Sequence, residues 1–385
     1  MNDVLYERAV APSTEKCVND MTQGLRKRAI PDWWRVEERE PRNAREDHRI
    51  AVLDDHLAAI HFTDETCASR TGVLRQLIGT EGLLTADLPL PGRGNTATRW
   101  RALGAVAACD LSLAKLYESH ADALAILAEL HRAELGQRGT WAVWAAEPPN
   151  ARLTARAGDG QRLVLEGTKA WCSGARHITH ALVTAWRDDV PVLAAVELSQ
   201  ACIAIDESGW QAVGMRATGT ASVRFDGAHA VQIGDAGAYV SRPGFWQGGA
   251  GIAACWLGSA AAIATTLLDS SARRTEPHAR AHLGAVDAAL ASAAALLRET
   301  AAWIDAHPDA NAQQWALRAR LTVDRVASDV MQHVSRAMGP APFCTDAWFA
   351  RALADLPVFL RQSHAERDEA ALAQAILDDH AGGAR

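Results

Sequence analysis

The hydrophobic pattern of this 385-residue chain changes period twice. Apolar residues recur at helical spacing up to Gly136. From Trp141 to Phe225 they fall into short β-rich runs, and from Phe245 they return to helical spacing. Helices, then strands, then helices again predict a β-domain inserted between two helical ones. The length agrees, because a single hydrophobic core stops growing near ~250–300 residues. The expected fold class is α+β multidomain. It has an N-terminal helical domain over 1–136 with an irregular charged arm, a central β-sandwich or barrel over 137–238, and a C-terminal four-helix bundle over 239–385.

Residues 1–50 are charged and broken by Pro31 and Pro41, and Trp33 and Trp34 are candidates to pin this arm to the body. Ile50, Leu53, Leu57 and Ile60 begin a helical pattern that runs to Ile78 with an interruption around Thr63–Thr66. Asp87 to Asn95 is a loop by composition. Helices are predicted over Ala97–Ala108 and Leu111–Leu135, the second capped by Asp110, whose carboxylate can accept the first-turn amide hydrogens. Strands are predicted over Gln161–Glu166, Ala181–Trp186, Val192–Val196 and Ala221–Phe225. Further helices are predicted over 246–270, 278–306, 311–337 and 346–380, with Pro308 and Gly339–Pro342 as breaks.

The formal net charge of -7 argues against a nucleic-acid partner, which needs a basic face to release phosphate counterions. The seven cysteines are scattered, odd in number and without a C-x-x-C. A disulfide framework or zinc site is not expected, and a reducing cytoplasm fits. The N-terminus lacks the apolar core of a signal peptide. The uncharged stretch Gly248–Leu268 reaches the ~20 residues of a membrane span. Ala, Gly, Ser and Thr dominate it, so a buried core helix is expected instead. His278 and His282 share a helix face, but no third ligand is near, so a surface pair and no metal are expected.

Four segments carry the functional signal. They are Trp141-Ala-Val-Trp-Ala-Ala-Glu-Pro148, Glu166-Gly-Thr-Lys-Ala-Trp-Cys-Ser-Gly174, Gly214-Met-Arg-Ala-Thr-Gly219 with Val223-Arg-Phe225, and Arg273-Arg-Thr-Glu-Pro277. In order and spacing they resemble segments of the acyl-CoA dehydrogenase family. Met338-Gly-Pro-Ala-Pro-Phe343 and Asp355 extend the likeness, which covers residues 85–375. The resemblance implies FAD as cofactor. Backbone around Trp144 and Ala146 would lie along the flavin, Trp171 would pack on the isoalloxazine, and Ser173 would bond its N5 edge. Gly339 would sit in a turn beside the cofactor, and Arg273 would reach the pyrophosphate from a neighbouring subunit. These residue types suit the task. A flavin needs an apolar wall, hydrogen-bond donors at N5, N1 and O2, where Ser173 can donate to N5, and a cation for phosphate. The resemblance also implies a homodimer or homotetramer and a small acyl substrate such as a CoA thioester, dehydrogenated at its α,β bond.

The departures bear on the reaction. The family's catalytic glutamate, which removes the α-proton, falls on Ser363 by count from Asp355. A serine hydroxyl cannot serve as that base unaided. The second position used in some branches falls in Trp246–Ala250, which holds no acid. His364 is adjacent, and Glu366, three residues on, shares a helix face with Ser363. Imidazole suits proton shuttling at neutral pH, so a flavin monooxygenase or oxidase using His364 is the alternative. A non-catalytic relative is a third reading, because Ala146, Glu276 and Arg336 stand where the family has flavin contacts.

Overall fold

The computed structural model describes residues 44–79, 88–149, 151–273 and 275–383. The arm with Pro31, Trp33, Trp34 and Pro41 lies outside the described residues, as do Cys17, Asp87 and Arg274. Among the described residues, four helices precede the strands: α1 Ala44–Ala58, α2 Cys67–Gly79, α3 Thr96–Cys109 and α4 Leu111–Glu129. The cap foreseen at Asp110 is present, accepting from the Leu113 amide at 2.8 Å. Its other oxygen meets Arg70 at 3.0 Å, and both side chains are fully buried, so one carboxylate caps α4 and ties it to α2. The pattern running to Leu135 ends earlier, at Glu129. His131 takes a left-handed φ of 58° and a short 3-10 turn follows over Ala133–Gln137.

Seven strands follow: β1 Trp141–Trp144, β2 Leu153–Ala157, β3 Arg162–Cys172, β4 His180–Arg187, β5 Val190–Glu197, β6 Ile203–Asp206 and β7 Ala221–Ile233. The ladder runs β4-β2-β3-β7-β5, and β5 pairs back onto β4. These five strands therefore close into a barrel, with β1 and β6 added at its rim. Alternation fills the inside with Leu163, Leu165, Val183, Val192, Val223 and Phe225. Closure removes the exposed edges that an open sheet would present.

The C-terminal part comprises α5 Ala238–Ser241, α6 Gly244–Arg273, α7 Pro277–Ala306, α8 Gln313–Met338, α9 Ala341–Thr345, α10 Ala347–Leu360 and α11 Glu366–Gly383. Helix α6 is long and apolar enough to cross a membrane, but 89% of its most apolar window is buried inside the fold. Its small residues serve close packing. A Cβ on Gly258 would lie 2.2 Å from the Gly104 carbonyl oxygen, so α3 and α6 cross backbone to backbone. The single helix expected over 346–380 is two. Arg361–Ala365 interrupts it, with Ala365 at a φ of 45°, and Arg320 on α8 takes the freed Gln362 carbonyl at 2.7 Å.

Candidate functional site

Helix α4 is the wall on which the site is assembled. One face docks the barrel. The Val143 amide donates to Ser119 Oγ at 2.8 Å, and the Trp141 amide to His120 Nδ1 at 3.1 Å. Burial lowers the pKa of His120 to about 4, so it is a neutral acceptor. Leu116 on the same face abuts Gly174, where an added Cβ would come within 2.8 Å. This contact seats the Trp171–Gly174 turn on α4.

That turn ends β3 irregularly. The β3–β7 register slips between Lys169 and Cys172, and Trp171 sits at a left-handed φ of 57°. A bulky residue there is a backbone outlier that the surroundings must hold in place. Its ring is 60% exposed although the chain around it is buried. Ser173 is buried, with its hydroxyl 3.1 Å from that of Thr220. The neighbouring motif residues are structural. Lys169 is fully buried and bonds Glu147 at 3.2 Å and Thr184 at 2.6 Å. Glu147 also accepts from Trp186 Nε1 at 2.9 Å, so the acid before Pro148 is a strand-end clamp.

The other face of α4 carries a charged cluster that sequence reasoning missed. Lys115, Glu118 and Asp122 recur at helical spacing. Glu118 is buried and paired with Lys115 at 2.9 Å. Burial raises its pKa, against the pull of Lys115 and Arg99. Arg320 adds a further cation whose field reaches Glu118. Arg320 is itself buried, donates to the Gly249 carbonyl at 2.9 Å, and stacks 5.0 Å from the Trp256 ring centroid. It thereby fastens the α10–α11 break to α6 and α8. The signal that could have found this group was a Lys-x-x-Glu-x-x-x-Asp repeat inside an otherwise apolar helix.

At the break, Ser363 is buried, and among the described residues its hydroxyl receives the Ala365 amide at 3.4 Å. His364 is 63% exposed, and Asp368 holds it twice, at the backbone amide (3.0 Å) and at Nδ1 (3.4 Å). Glu366 is exposed in the first turn of α11, away from the buried Ser363. Trp144 turns its side chain into the barrel and donates from Nε1 to the Ser173 carbonyl at 3.2 Å, and Ala146 follows β1 in the loop. Gly339 ends α8 at a φ of 63° with open space around it. Arg273 is exposed at the end of α6. Glu276 caps α7 by accepting from the His278 and Ala279 amides. His282 turns from α7 to His333 on α8, 2.8 Å away. Among the described residues no three metal-ligating side chains converge.

A polar cavity of about 260 Å³ opens between the C-terminal half of α4 and the start of α6, lined by Asp122, Glu129, Arg242 and Gln247 among others. None of the residues expected from the sequence lines it. The Trp171–Gly174 turn lies against Leu116 of α4, while Ser363, His364 and Glu366 lie at the α10–α11 break and Arg273 and Gly339 at the ends of α6 and α8; the candidate site is taken at the turn.

No protein-family model and no curated protein sequence matches the chain. Solved structures do. KijD3, in complex with FMN and a dTDP-linked amino-keto sugar, superposes with a TM-score of 0.71 at 21% identity, over 88% of this chain and 95% of that one. TdsC from Paenibacillus sp. A11-2, with FMN and indole, gives 0.71 at 18% identity over 87% and 97%. Glutaryl-CoA dehydrogenase from Mycobacterium smegmatis gives 0.72 at 16% identity over 87% and 95%. The chain has the acyl-CoA dehydrogenase fold.

Proposed function

We propose that the chain is a flavin-dependent oxidoreductase whose ring site lies against Trp171 and Ser173. One observation carries this reading. A large aromatic ring stands exposed on a strained bulge, next to a buried hydroxyl, on the wall that also carries the buried charges of α4. A ring-shaped apolar ligand would relieve that exposure, which is the fit expected of a flavin platform. When bound, flavin supplies two-electron transfer. The chain's own residues bind it, orient it and handle protons.

The size of the cofactor follows from the far end of the site. A dinucleotide has Arg273 and Gly339 in its favour. Against it stands the anionic Glu276, whose carboxylate is committed to capping α7. The mononucleotide FMN is therefore favoured over the FAD expected from the resemblance, in keeping with the FMN named for KijD3 and TdsC.

The reaction that fits is one that needs no carboxylate at Ser363, such as a flavin-dependent oxidation or monooxygenation. His364 is the proton-handling group, with Asp368 fixing its Nδ1 so that Nε2 is the working nitrogen. Acyl dehydrogenation is a second reading, supported by Glu118, a buried carboxylate whose raised pKa suits a base. A small-molecule substrate, a homo-oligomer and a cytoplasmic setting belong to the same proposal.

The test is the visible spectrum of the purified protein together with FMN titration of Trp171→Ala. The variant should lose about three- to tenfold in affinity, the worth of one lost stacking contact, with an unchanged melting temperature of the flavin-free protein. Equal affinity would remove Trp171 as the platform, and absence of any flavin binding by the wild type would end the reading.

A further inference from the structure

The Ser173 hydroxyl is the first member of a buried row. Ser173 Oγ lies 3.1 Å from Thr220 Oγ1, Thr220 Oγ1 lies 2.7 Å from Thr218 Oγ1, and Thr218 Oγ1 lies 2.7 Å from the Met215 carbonyl oxygen. Each hydroxyl has one proton to give and lone pairs to receive, and a carbonyl can only accept. Thr218 must therefore donate to Met215. With its proton spent, Thr218 can only receive from Thr220. Thr220, its own proton spent, can only receive from Ser173. The row has one direction, and the proton of Ser173 points inward along it.

The anchor of the row is rigid. Met215 is held at a left-handed φ of 57°, and its amide donates to Asp355 Oδ1 at 2.5 Å. Gly214 before it touches the α10 backbone, where an added Cβ would lie 2.0 Å from the Ala354 carbonyl. The Met215 carbonyl therefore cannot swing away and release Thr218. At the other end, the Ser173 carbonyl is fixed by Trp144 Nε1. All three hydroxyl residues are buried, so bulk water does not scramble their order.

We infer that Ser173 faces the ring site as a hydrogen-bond acceptor, the open end of a one-way hydroxyl row anchored on Met215, and that the site thereby prefers reduced flavin over oxidised. The inference rests on the flavin reading above and revises the donor role expected for Ser173 from its chemistry alone. The N5 edge of oxidised flavin offers a lone pair, which an acceptor opposes. In the reduced form that edge carries an N–H, which an acceptor satisfies.

The experiment loads wild type, Thr220→Val, Thr220→Ser and Thr218→Val with FMN. It measures the dissociation constant of oxidised FMN and the midpoint potential of the bound flavin against reference dyes. Together these give the ratio of oxidised to reduced affinities. Thr220→Val leaves Ser173 free to donate, and Thr218→Val frees Thr220 to donate back to Ser173. Both should shift the ratio toward oxidised flavin by about tenfold, near the worth of one neutral hydrogen bond. For a two-electron couple that is about 30 mV lower in potential. Thr220→Ser keeps the row and should match wild type, which separates direction from packing. Valine variants that bind FMN with the wild-type ratio would overturn the inference and leave the flavin reading standing. A wild type that binds no flavin would overturn the flavin reading, and the inference with it.

Discussion

Arg320 on α8 donates to the carbonyl of Gln362, 2.7 Å away and one residue before Ser363. The same guanidinium donates to Gly249 on α6, so one buried cation sets where the α10–α11 break sits against the bundle.

Arg320→Met should therefore loosen the break as well as the core. Two charge-assisted hydrogen bonds are lost and the neighbouring acids keep less compensation, together about 2–4 kcal/mol. Arg320→Lys should recover only part of this, because a single ammonium cannot span both carbonyls as a planar fork does. Urea unfolding of the three proteins reads the ordering. A methionine variant as stable as wild type would show that the bridge does not hold the break.

Ser363 and His364 should separate cleanly in kinetics. Among the described residues the Ser363 hydroxyl receives the Ala365 amide at a long 3.4 Å, so Ser363→Ala should alter turnover of the flavin-loaded enzyme by less than about threefold, within the small effect of one weak neutral bond. His364→Ala should slow it about a hundredfold, the low end for a lost general acid or base. Asp368→Asn should reproduce part of that loss by leaving the imidazole unoriented. Steady-state oxygen consumption checks all three, and wild-type rates for His364→Ala would remove it from the mechanism.

Asp355 gives the protein a pH dependence of known sign. Burial first, then the nearby Asp110 charge, raise its carboxyl from 3.8 to about 7, against the Met215 amide and Arg351. Between those values the folded protein keeps a proton that the unfolded chain has released. The contribution is fully present below about pH 4 and is lost as pH rises through about 7. Asp355→Asn keeps an acceptor for the Met215 amide and cannot ionise. Its melting temperature relative to wild type should climb between pH 5 and pH 8. A difference that stays flat across that range would contradict the raised pKa.

Much of this was legible in the sequence, for reasons that differ by element. Strand and helix periods marked the barrel and the bundle because burial enforces them. Asp110 was readable as a cap because capping is local. Barrel closure was not readable, since the β4–β5 and β5–β7 registers that close it join strands whose order in space the chain does not encode locally. The split of the last helix was missed because its cause is Arg320, more than forty residues away. Trp171 and Ser173 were singled out through a motif, and their role at a flavin is a proposal. The direction of the Ser173 hydroxyl depends on Thr218, Thr220 and the Met215 carbonyl, and only their mutual distances reveal it. Glu118 was passed over because a charge in an apolar helix looks like a surface position until its neighbours are known.

Gly214 tests whether α10 and the hydroxyl row are mechanically joined. A Cβ there would sit 2.0 Å from the Ala354 carbonyl oxygen and 2.6 Å from its carbon. Both are helix backbone and cannot rotate aside. In Gly214→Ala, α10 must move outward, stretching the Met215–Asp355 bond that fixes the row. The cost should be about 1–3 kcal/mol, as for overpacking elsewhere. Gly209→Ala is the control, because nothing lies within 4 Å of its added Cβ, and it should stay within about 0.5 kcal/mol of wild type. Chemical denaturation and FMN titration of both variants provide the readout. Gly214→Ala should lose stability and FMN affinity together. Loss of stability with FMN affinity fully retained would show that α10 supports the fold without positioning Ser173.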